Sequence, residues 1–137
     1  MTRKAMSHLV LDDTERFPPA LLQSLGFVDV TLSPERAHVR FEPPASCAHS
    51  GGTTVQGGYV TAFLDNAMAF AAASSEGSPR LATLELKVSF LGRAAVRPLI
   101  ASAWVRRLGR TVAFLEAELH DDTGVLVATA SSTCKVV

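Results

Sequence analysis

The longest unbroken hydrophobic pattern in the chain lies near its middle. Between residues 59 and 71, apolar side chains occupy almost every face of a helix and leave no polar stripe. Such a pattern predicts a helix that is buried on all sides. Glycines at 57 and 58 precede it, and residues 50–76 therefore form the stretch around which the rest of the chain is expected to fold.

The flanking regions alternate apolar and polar residues with a period of two, which is typical of β-strands. Residues 27–32 and 36–41 predict a β-hairpin, preceded by a short helix over 18–25 that Gly26 ends. Downstream, strands are predicted over 81–91, 99–108, 111–120 and 125–137. Short connections between them favour an antiparallel sheet, because parallel neighbours need long crossovers. In the strand over 81–91, the alternation places Thr83 on the face opposite Leu86.

These elements predict one α+β domain in which a curved antiparallel sheet surrounds a long central helix. Residues 1–16 are expected to be a flexible lead-in, and residues 17–137 to form the domain. The chain has 137 residues, of which 47% are hydrophobic, and this is enough to bury a core.

Charge and cysteine content narrow the class of protein. Thirteen basic residues balance thirteen acidic ones, which argues against nucleic acid as a partner. No uncharged apolar run approaches the roughly 18 residues that a membrane span needs. Cys47 and Cys134 lack metal-ligand spacing, and free thiols in a reducing compartment are expected. We therefore predict a cytoplasmic protein without a membrane segment.

Asp65 is the one ionisable residue within the apolar helix. Aspartate is seldom fully buried unless another group pairs with it or the protein uses it. The pattern leaves open a catalytic or ligand-binding carboxylate and a structural one that pairs within the core. Asn66, the next residue, shares this environment or lies at an interface.

The glycine-rich start of the helix is a second candidate. Free N–H groups at 56–58 would carry the positive end of the helix dipole, and such a site suits a phosphate or a developing oxyanion. A flexible turn is the simpler alternative. Arg106, Arg107 and Arg110 indicate either a solvated strand end or contacts to an anionic cofactor tail. The four histidines lack metal-ligand spacing, so no metal site is predicted.

Four segments together resemble the hotdog-fold acyl-CoA thioesterases, and most closely the phenylacetate-pathway group of the 4-hydroxybenzoyl-CoA thioesterase superfamily. They are QGGYVTAFLDNAMAFAA, TLELKVSFLGRA, LGRTVAFLEAEL and DDTGVLVATASST. The resemblance covers residues 45–137. It implies a hotdog fold, homodimers or homotetramers, an acyl-CoA substrate and no metal or redox cofactor.

By position, the resemblance makes Asp65 the catalytic carboxylate and Gly57 the residue whose N–H polarises the thioester carbonyl. Thr83 stands where relatives place a small hydroxyl residue that helps to orient water. Gln56 replaces the histidine that is usual in this family, and Ser50 replaces an asparagine or glutamine. Gln56 and Thr83 are thus expected to orient the carbonyl and the water.

Residues beside this set are expected to contact the substrate rather than to react. They are Ser50, Gly58, Asn66 and Arg110, the arginine meeting the phosphates of coenzyme A (CoA). Gly57 and Asp65 lie eight residues apart, which is about 12 Å along a helix. One thioester carbonyl cannot easily meet both within one chain, so an antiparallel pair of helices is predicted.

The predicted function is hydrolysis of an acyl-CoA thioester to a carboxylic acid and free CoA. Asp65 would activate water or attack directly, and the sequence does not choose between them. The alternative is a non-catalytic acyl-CoA-binding hotdog protein, which Gln56 and Ser50 keep open. A hotdog dehydratase is a weaker reading because no histidine is near Asp65 in sequence. The acyl group is not readable from the chain.

Overall fold

The computed structural model describes residues 2–137 of the chain. Most of its helices and strands lie where the hydrophobic pattern predicts them. In chain order they are α1 (Arg3–Leu11), α2 (Pro19–Ser24), β1 (Phe27–Ser33), β2 (Arg36–Phe41), β3 (Ala48–His49), β4 (Thr54–Val55), α3 (Gly57–Ala73), β5 (Leu81–Phe90), β6 (Leu99–Leu108), β7 (Val112–Asp121) and β8 (Leu126–Val136).

The long strands form one six-stranded sheet in which all neighbours are antiparallel, in the order β1-β2-β6-β7-β8-β5. The two-residue strands β3 and β4 form a separate ribbon in the loop that leads into α3. Helix α3 packs across the curved sheet, most extensively on β6, and contacts all six of its strands. The predicted α+β class, with a central helix against an antiparallel sheet, is confirmed.

The core is built from the buried faces of α3 and the sheet. Phe63, Leu64, Ala67, Phe70 and Ala71 of α3 are fully buried. Alanines on α3 and on the inner faces of β6, β7 and β8 let the helix approach the sheet closely. At one end, phenylalanine rings stack on the helix, with 4.1 Å between the ring centroids of Phe17 and Phe70. Such pairs stabilise beyond the area they bury.

The prediction of a flexible lead-in is wrong for the segment that forms α1. The Thr2 hydroxyl caps this helix by accepting a hydrogen bond from Ala5 N–H at 3.1 Å. Val10 is buried, and the Ser7 hydroxyl accepts a hydrogen bond from Leu32 N–H at 3.3 Å. Because β1 is an edge strand, this bond satisfies a backbone donor that pairing would otherwise leave free. The domain boundary at residue 17 stays a prediction.

The strand order differs from the order in sequence. β5 pairs with β8, the last strand, and not with β6, which follows it in the chain. Residues 91–98 therefore carry the chain past β8 and β7 to reach β6. β5 becomes an edge strand, and its region exposes large apolar side chains: Leu84 is 63% exposed, Phe90 57% and Leu91 60%. A monomer rarely leaves such a strip uncovered at a sheet edge.

Candidate active site

Asp65 lies in the middle of α3 and lines a cavity of about 150 Å³ between the helix and the sheet. Met68, Leu81 and Leu115 form apolar parts of its wall. Burial raises the pKa of the Asp65 carboxyl, because removing water disfavours its charged form. No hydrogen bond or ion pair to its carboxylate is present in the described part of the chain. The carboxylate is therefore half-buried, unpaired and directed at open space.

Thr83 reaches the same cavity because β5 is irregular at that point. A bulge lies between Thr83 and Glu85, where the pairing with β8 shifts register. The sequence alternation places Thr83 on the face opposite Leu86, and this prediction is wrong. In the structure Thr83 lines the cavity with Asp65, while Leu86 packs against the core from the same strand. The extra residue of a bulge re-aims a side chain in this way.

Two further cavity residues, Ser132 and Cys134, were missed by sequence reasoning. Both lie on the inner face of β8 and are 5% exposed. Their side chains contact each other, with 3.1 Å between Ser132 Oγ and Cys134 Sγ. The available signal was Ser132 itself, a polar residue that follows the alanines 128 and 130 on the inner face of β8 and interrupts an otherwise apolar pattern.

The first turn of α3 contains one backbone N–H that the helix cap does not use. Gln56 caps the helix: its Oε1 accepts a hydrogen bond from Gly58 N–H at 2.8 Å. Within residues 2–137, no acceptor bonds the N–H of Gly57. The ring of Phe90 lies over this residue, 3.3 Å from where a Cβ on Gly57 would stand. Because glycine has no Cβ, the Phe90 ring can lie close to the backbone that carries the Gly57 N–H.

The structure thus brings the predicted residues together in two groups. Asp65 and Thr83 share the cavity, and Gln56, Gly57 and Gly58 share the first turn of α3. Gly57 and Asp65, one from each group, lie on one continuous helix, so eight residues separate them, or about 12 Å of helix rise.

The other predicted substrate contacts lie elsewhere in the chain. Ser50 occupies the turn between β3 and β4 with a positive φ of 51°, and its hydroxyl contacts His49 Nδ1 at 2.7 Å. Asn66 donates to the Ala62 carbonyl within α3 at 2.8 Å. Arg110 is exposed in the β6–β7 turn. Their roles toward a substrate stay predictions.

The sequence of the chain matches a known protein family over most of the region that builds these two groups. A model of the thioesterase superfamily matches residues 52–128, which is more than half of the chain and includes α3 and the strands β5 to β7. The chain belongs to the thioesterase superfamily. It is a thioester hydrolase, and the match contains Gly57, Asp65 and Thr83 but not Ser50 or Ser132.

Solved structures of other proteins are similar over almost the whole chain. A conserved protein of Pseudomonas aeruginosa is 28% identical, with a TM-score of 0.81 over 91% of this chain and 99% of its own. A phenylacetic acid degradation-related protein of Ralstonia eutropha is 31% identical, with a TM-score of 0.76 over 90% and 97%. The predicted resemblance to phenylacetate-type hotdog thioesterases is confirmed. A search of the curated proteins found no match.

A more distant structure shares the thioesterase fold alone. It comes from Streptococcus mutans, is 20% identical and has a TM-score of 0.75 over 81% of this chain and 88% of its own. That protein is bound to acetyl-CoA. In the present thioesterase, none of the helices among the described residues is both long and apolar enough to cross a membrane.

Proposed function

We propose that the protein hydrolyses acyl-CoA thioesters, and that Asp65 supplies the carboxylate for this reaction. One observation carries the proposal: Asp65 is unpaired, desolvated and directed into a cavity, on the same helix that offers a free Gly57 N–H. A carboxylate with a raised pKa holds a proton more readily near neutral pH, which suits a general base. Membership of the thioesterase superfamily supports the reaction class.

In the hydrolytic route, Asp65 accepts a proton from a water molecule while the water oxygen bonds to the thioester carbon. The carbonyl oxygen becomes an oxyanion, which Gly57 N–H stabilises at the positive end of the helix dipole. The oxyanion then collapses and the carbon–sulfur bond breaks. The CoA sulfur takes the proton held by Asp65 and leaves as a thiol, which returns Asp65 to its charged form. Direct attack by the Asp65 carboxylate on the thioester carbon would instead break the carbon–sulfur bond, release CoA as a thiolate and form an anhydride that water hydrolyses.

The helix cap limits which atom of Gln56 can contact a substrate. Its Oε1 is committed to Gly58 N–H, so only the Nε2 amide remains to meet a substrate. An amide nitrogen donates and does not accept. Gln56 would therefore stand beside Gly57 as a second donor to the carbonyl oxygen, and its charge does not change with pH. Thr83, across the cavity from Asp65, would hold the water.

The proposed site needs two chains. A thioester oxygen must lie about 3 Å from its donors, and the donor at Gly57 is too far along α3 from Asp65 of the same chain. Large apolar side chains are exposed along the β5 edge, and one of them, Phe90, lies next to Gly57. Their exposure supports burial of this region against a second copy of the chain. We propose a homodimer of this kind, and pairing of dimers into a homotetramer.

CoA would enter between the subunits of this dimer. Arg110 and its neighbours Arg106 and Arg107 are exposed at one end of the sheet, where they can meet its phosphates. The fold neighbour bound to acetyl-CoA supports a ligand of this class. The proposed location of the enzyme is the cytoplasm, and the proposal involves no metal or redox cofactor.

A panel of CoA thioesters tests this function. The purified protein is mixed with short, medium and aromatic acyl-CoA compounds, and free thiol release is followed alongside calorimetric binding. Hydrolysis that exceeds the rate without enzyme, and that Asp65→Asn removes, is expected. Binding of acyl-CoA without any turnover would replace the enzyme by the acyl-CoA-binding alternative.

A further inference from the structure

The wall of the Asp65 cavity carries a hydroxyl that the proposed chemistry does not use. Ser132 is paired across the sheet with Leu86 on one side and Leu115 on the other, on the face that packs against α3. It is 95% buried, being 5% exposed, in a position where its strand neighbours on the same face are Ala130 and Cys134. An apolar residue is the ordinary choice for such a position.

The hydrogen bonding of Ser132 is weak for a buried hydroxyl. Among the described residues, its partner is the Cys134 thiol, with 3.1 Å between Ser132 Oγ and Cys134 Sγ. A hydroxyl has one donor and two acceptor sites, whereas a thiol is a poor partner in both senses. Burying a hydroxyl without good partners is unfavourable. A polar group of a ligand would supply the hydrogen bonds that the protein does not give the Ser132 hydroxyl.

The dimensions of the cavity limit what can reach this hydroxyl. A cavity of about 150 Å³ is known to hold one benzene molecule, so this space accepts an acyl group of about six heavy atoms. Asp65 and Ser132 line the same cavity. An acyl chain whose carbonyl carbon lies beside Asp65 can therefore extend through this cavity to Ser132.

We propose that Ser132 is a specificity-determining residue, which selects short acyl groups that carry a hydroxyl over apolar acyl groups of the same size. This inference rests on the proposed thioesterase function and adds the substrate class. The hydroxyl of the acyl group exchanges a hydrogen bond with Ser132 Oγ. The apolar part of the wall, which includes Met68, Leu81 and Leu115, fixes the size of the acyl group. The other hydroxyl of the wall, that of Thr83, holds the water in the proposed reaction.

Two CoA thioesters of matched shape measure this selection. 3-Hydroxybutanoyl-CoA and 3-methylbutanoyl-CoA differ by a hydroxyl in place of a methyl group on the same carbon. Replacement of Ser132 by alanine is expected to lower the ratio of their kcat/KM values by about three- to tenfold, which is the effect of one hydrogen bond. The methyl compound should keep its rate, because the alanine removes no apolar contact.

Two control variants separate ligand contact from structure. Ser131→Ala changes an exposed residue on the other face of the same strand, and the ratio should stay at the parental value. Cys134→Ala removes the thiol partner of Ser132 but leaves its hydroxyl, so the ratio should stay or rise. An equal fall in Ser132→Ala and Cys134→Ala would mean that the pair acts on the fold, and would overturn the proposal.

Two further outcomes distinguish failure of the role of Ser132 from failure of the thioesterase function. A ratio that Ser132→Ala leaves within twofold of the parental value, with turnover intact, overturns the selection by Ser132 and leaves the thioesterase function standing. A parent protein that hydrolyses no thioester of the wider panel overturns the proposed function, and the role of Ser132 with it.

Discussion

The first turn of α3 and its middle differ in almost every physical respect, although one helix contains both. At the first turn, glycines leave the backbone open, Gly57 N–H has no acceptor in the described chain, and the helix dipole favours negative charge. In the middle, Asp65 is the only charged group among apolar neighbours, and burial raises its pKa. The first turn of α3 favours a negative charge, whereas the middle of the helix disfavours the charged form of Asp65.

This contrast teaches that neither region is a complete active site. In the proposed reaction, the first turn would supply the donor to the oxyanion, and the cavity would supply the carboxylate that acts as base. The rigid helix keeps the two about 12 Å apart. In the account proposed above, a second copy of the chain places its first turn opposite the Asp65 cavity.

The largest effect is expected from removing the base. Asp65→Asn keeps the shape of the side chain but not its ability to accept a proton from water, so kcat should fall by about 10²–10⁴-fold. Asp29→Asn, on an exposed position of β1, serves as the matched control and should keep the parental rate. Turnover by Asp65→Asn within a few-fold of the parent would remove Asp65 from the chemistry.

The next largest effect is expected at the other end of the helix. Gly57→Pro removes the N–H, and proline suits the first helical position after Gln56, whose ψ of 141° is extended. Losing one donor to the oxyanion should lower kcat by about 10²–10³-fold. Gly57→Ala keeps the N–H and displaces only the ring edge of Phe90, so it should retain much more activity. Equal losses in the two variants would show that the donor is irrelevant.

Gln56 tests whether its free amide contributes beside Gly57. Gln56→Glu keeps an oxygen that can cap Gly58 N–H but loses the Nε2 donor, and kcat/KM should fall about tenfold or more. Gln56→His, which restores the usual family residue, should change kcat/KM by about tenfold or less. Gln56→Ala loses both the cap and the donor, so its melting temperature should fall as well. Parental turnover in Gln56→Ala would exclude Gln56 from the site.

The smallest effect concerns the stability of the buried carboxylate. Because the folded-state pKa of Asp65 is raised, its charged form opposes folding above that pKa, and the opposition disappears below the ordinary pKa, where Asp65 is protonated in both states. Asp65→Asn should therefore melt higher than the parent near pH 7, and the difference should shrink toward pH 3. Activity of the parent should rise with pH through the raised pKa. A lower melting temperature for Asp65→Asn at pH 7 would contradict this environment.

The sequence predicted the parts of the fold that follow from local periodicity. The apolar run over residues 59–71 lies within α3. The alternating runs correspond to β1, β2 and β5 to β8, with small differences at their ends. Asp65 was recognisable because a charge in such a helix needs a reason. The lead-in was misjudged because the helix α1 depends on packing against β1, which a local pattern does not reveal.

The rest of the candidate site depends on contacts between distant segments. The bulge that directs Thr83 to the cavity exists only in the pairing of β5 with β8, and strict alternation predicts the opposite face. Ser132 and Cys134 line the same cavity as Asp65 because β8, the last strand, lies between β5 and β7. The cap by Gln56 Oε1 likewise depends on a side-chain conformation that residue types alone do not specify.

The most direct test of the central claim mixes two inactive proteins. Subunits of Asp65→Asn are exchanged with subunits of Gly57→Pro, and heterodimers are confirmed by native mass spectrometry. If the two groups meet across the interface, each heterodimer has one intact site and one doubly damaged site, and an equal mixture should regain about a quarter of the parental activity. Confirmed heterodimers that stay as inactive as either parent variant would contradict a site shared between two chains.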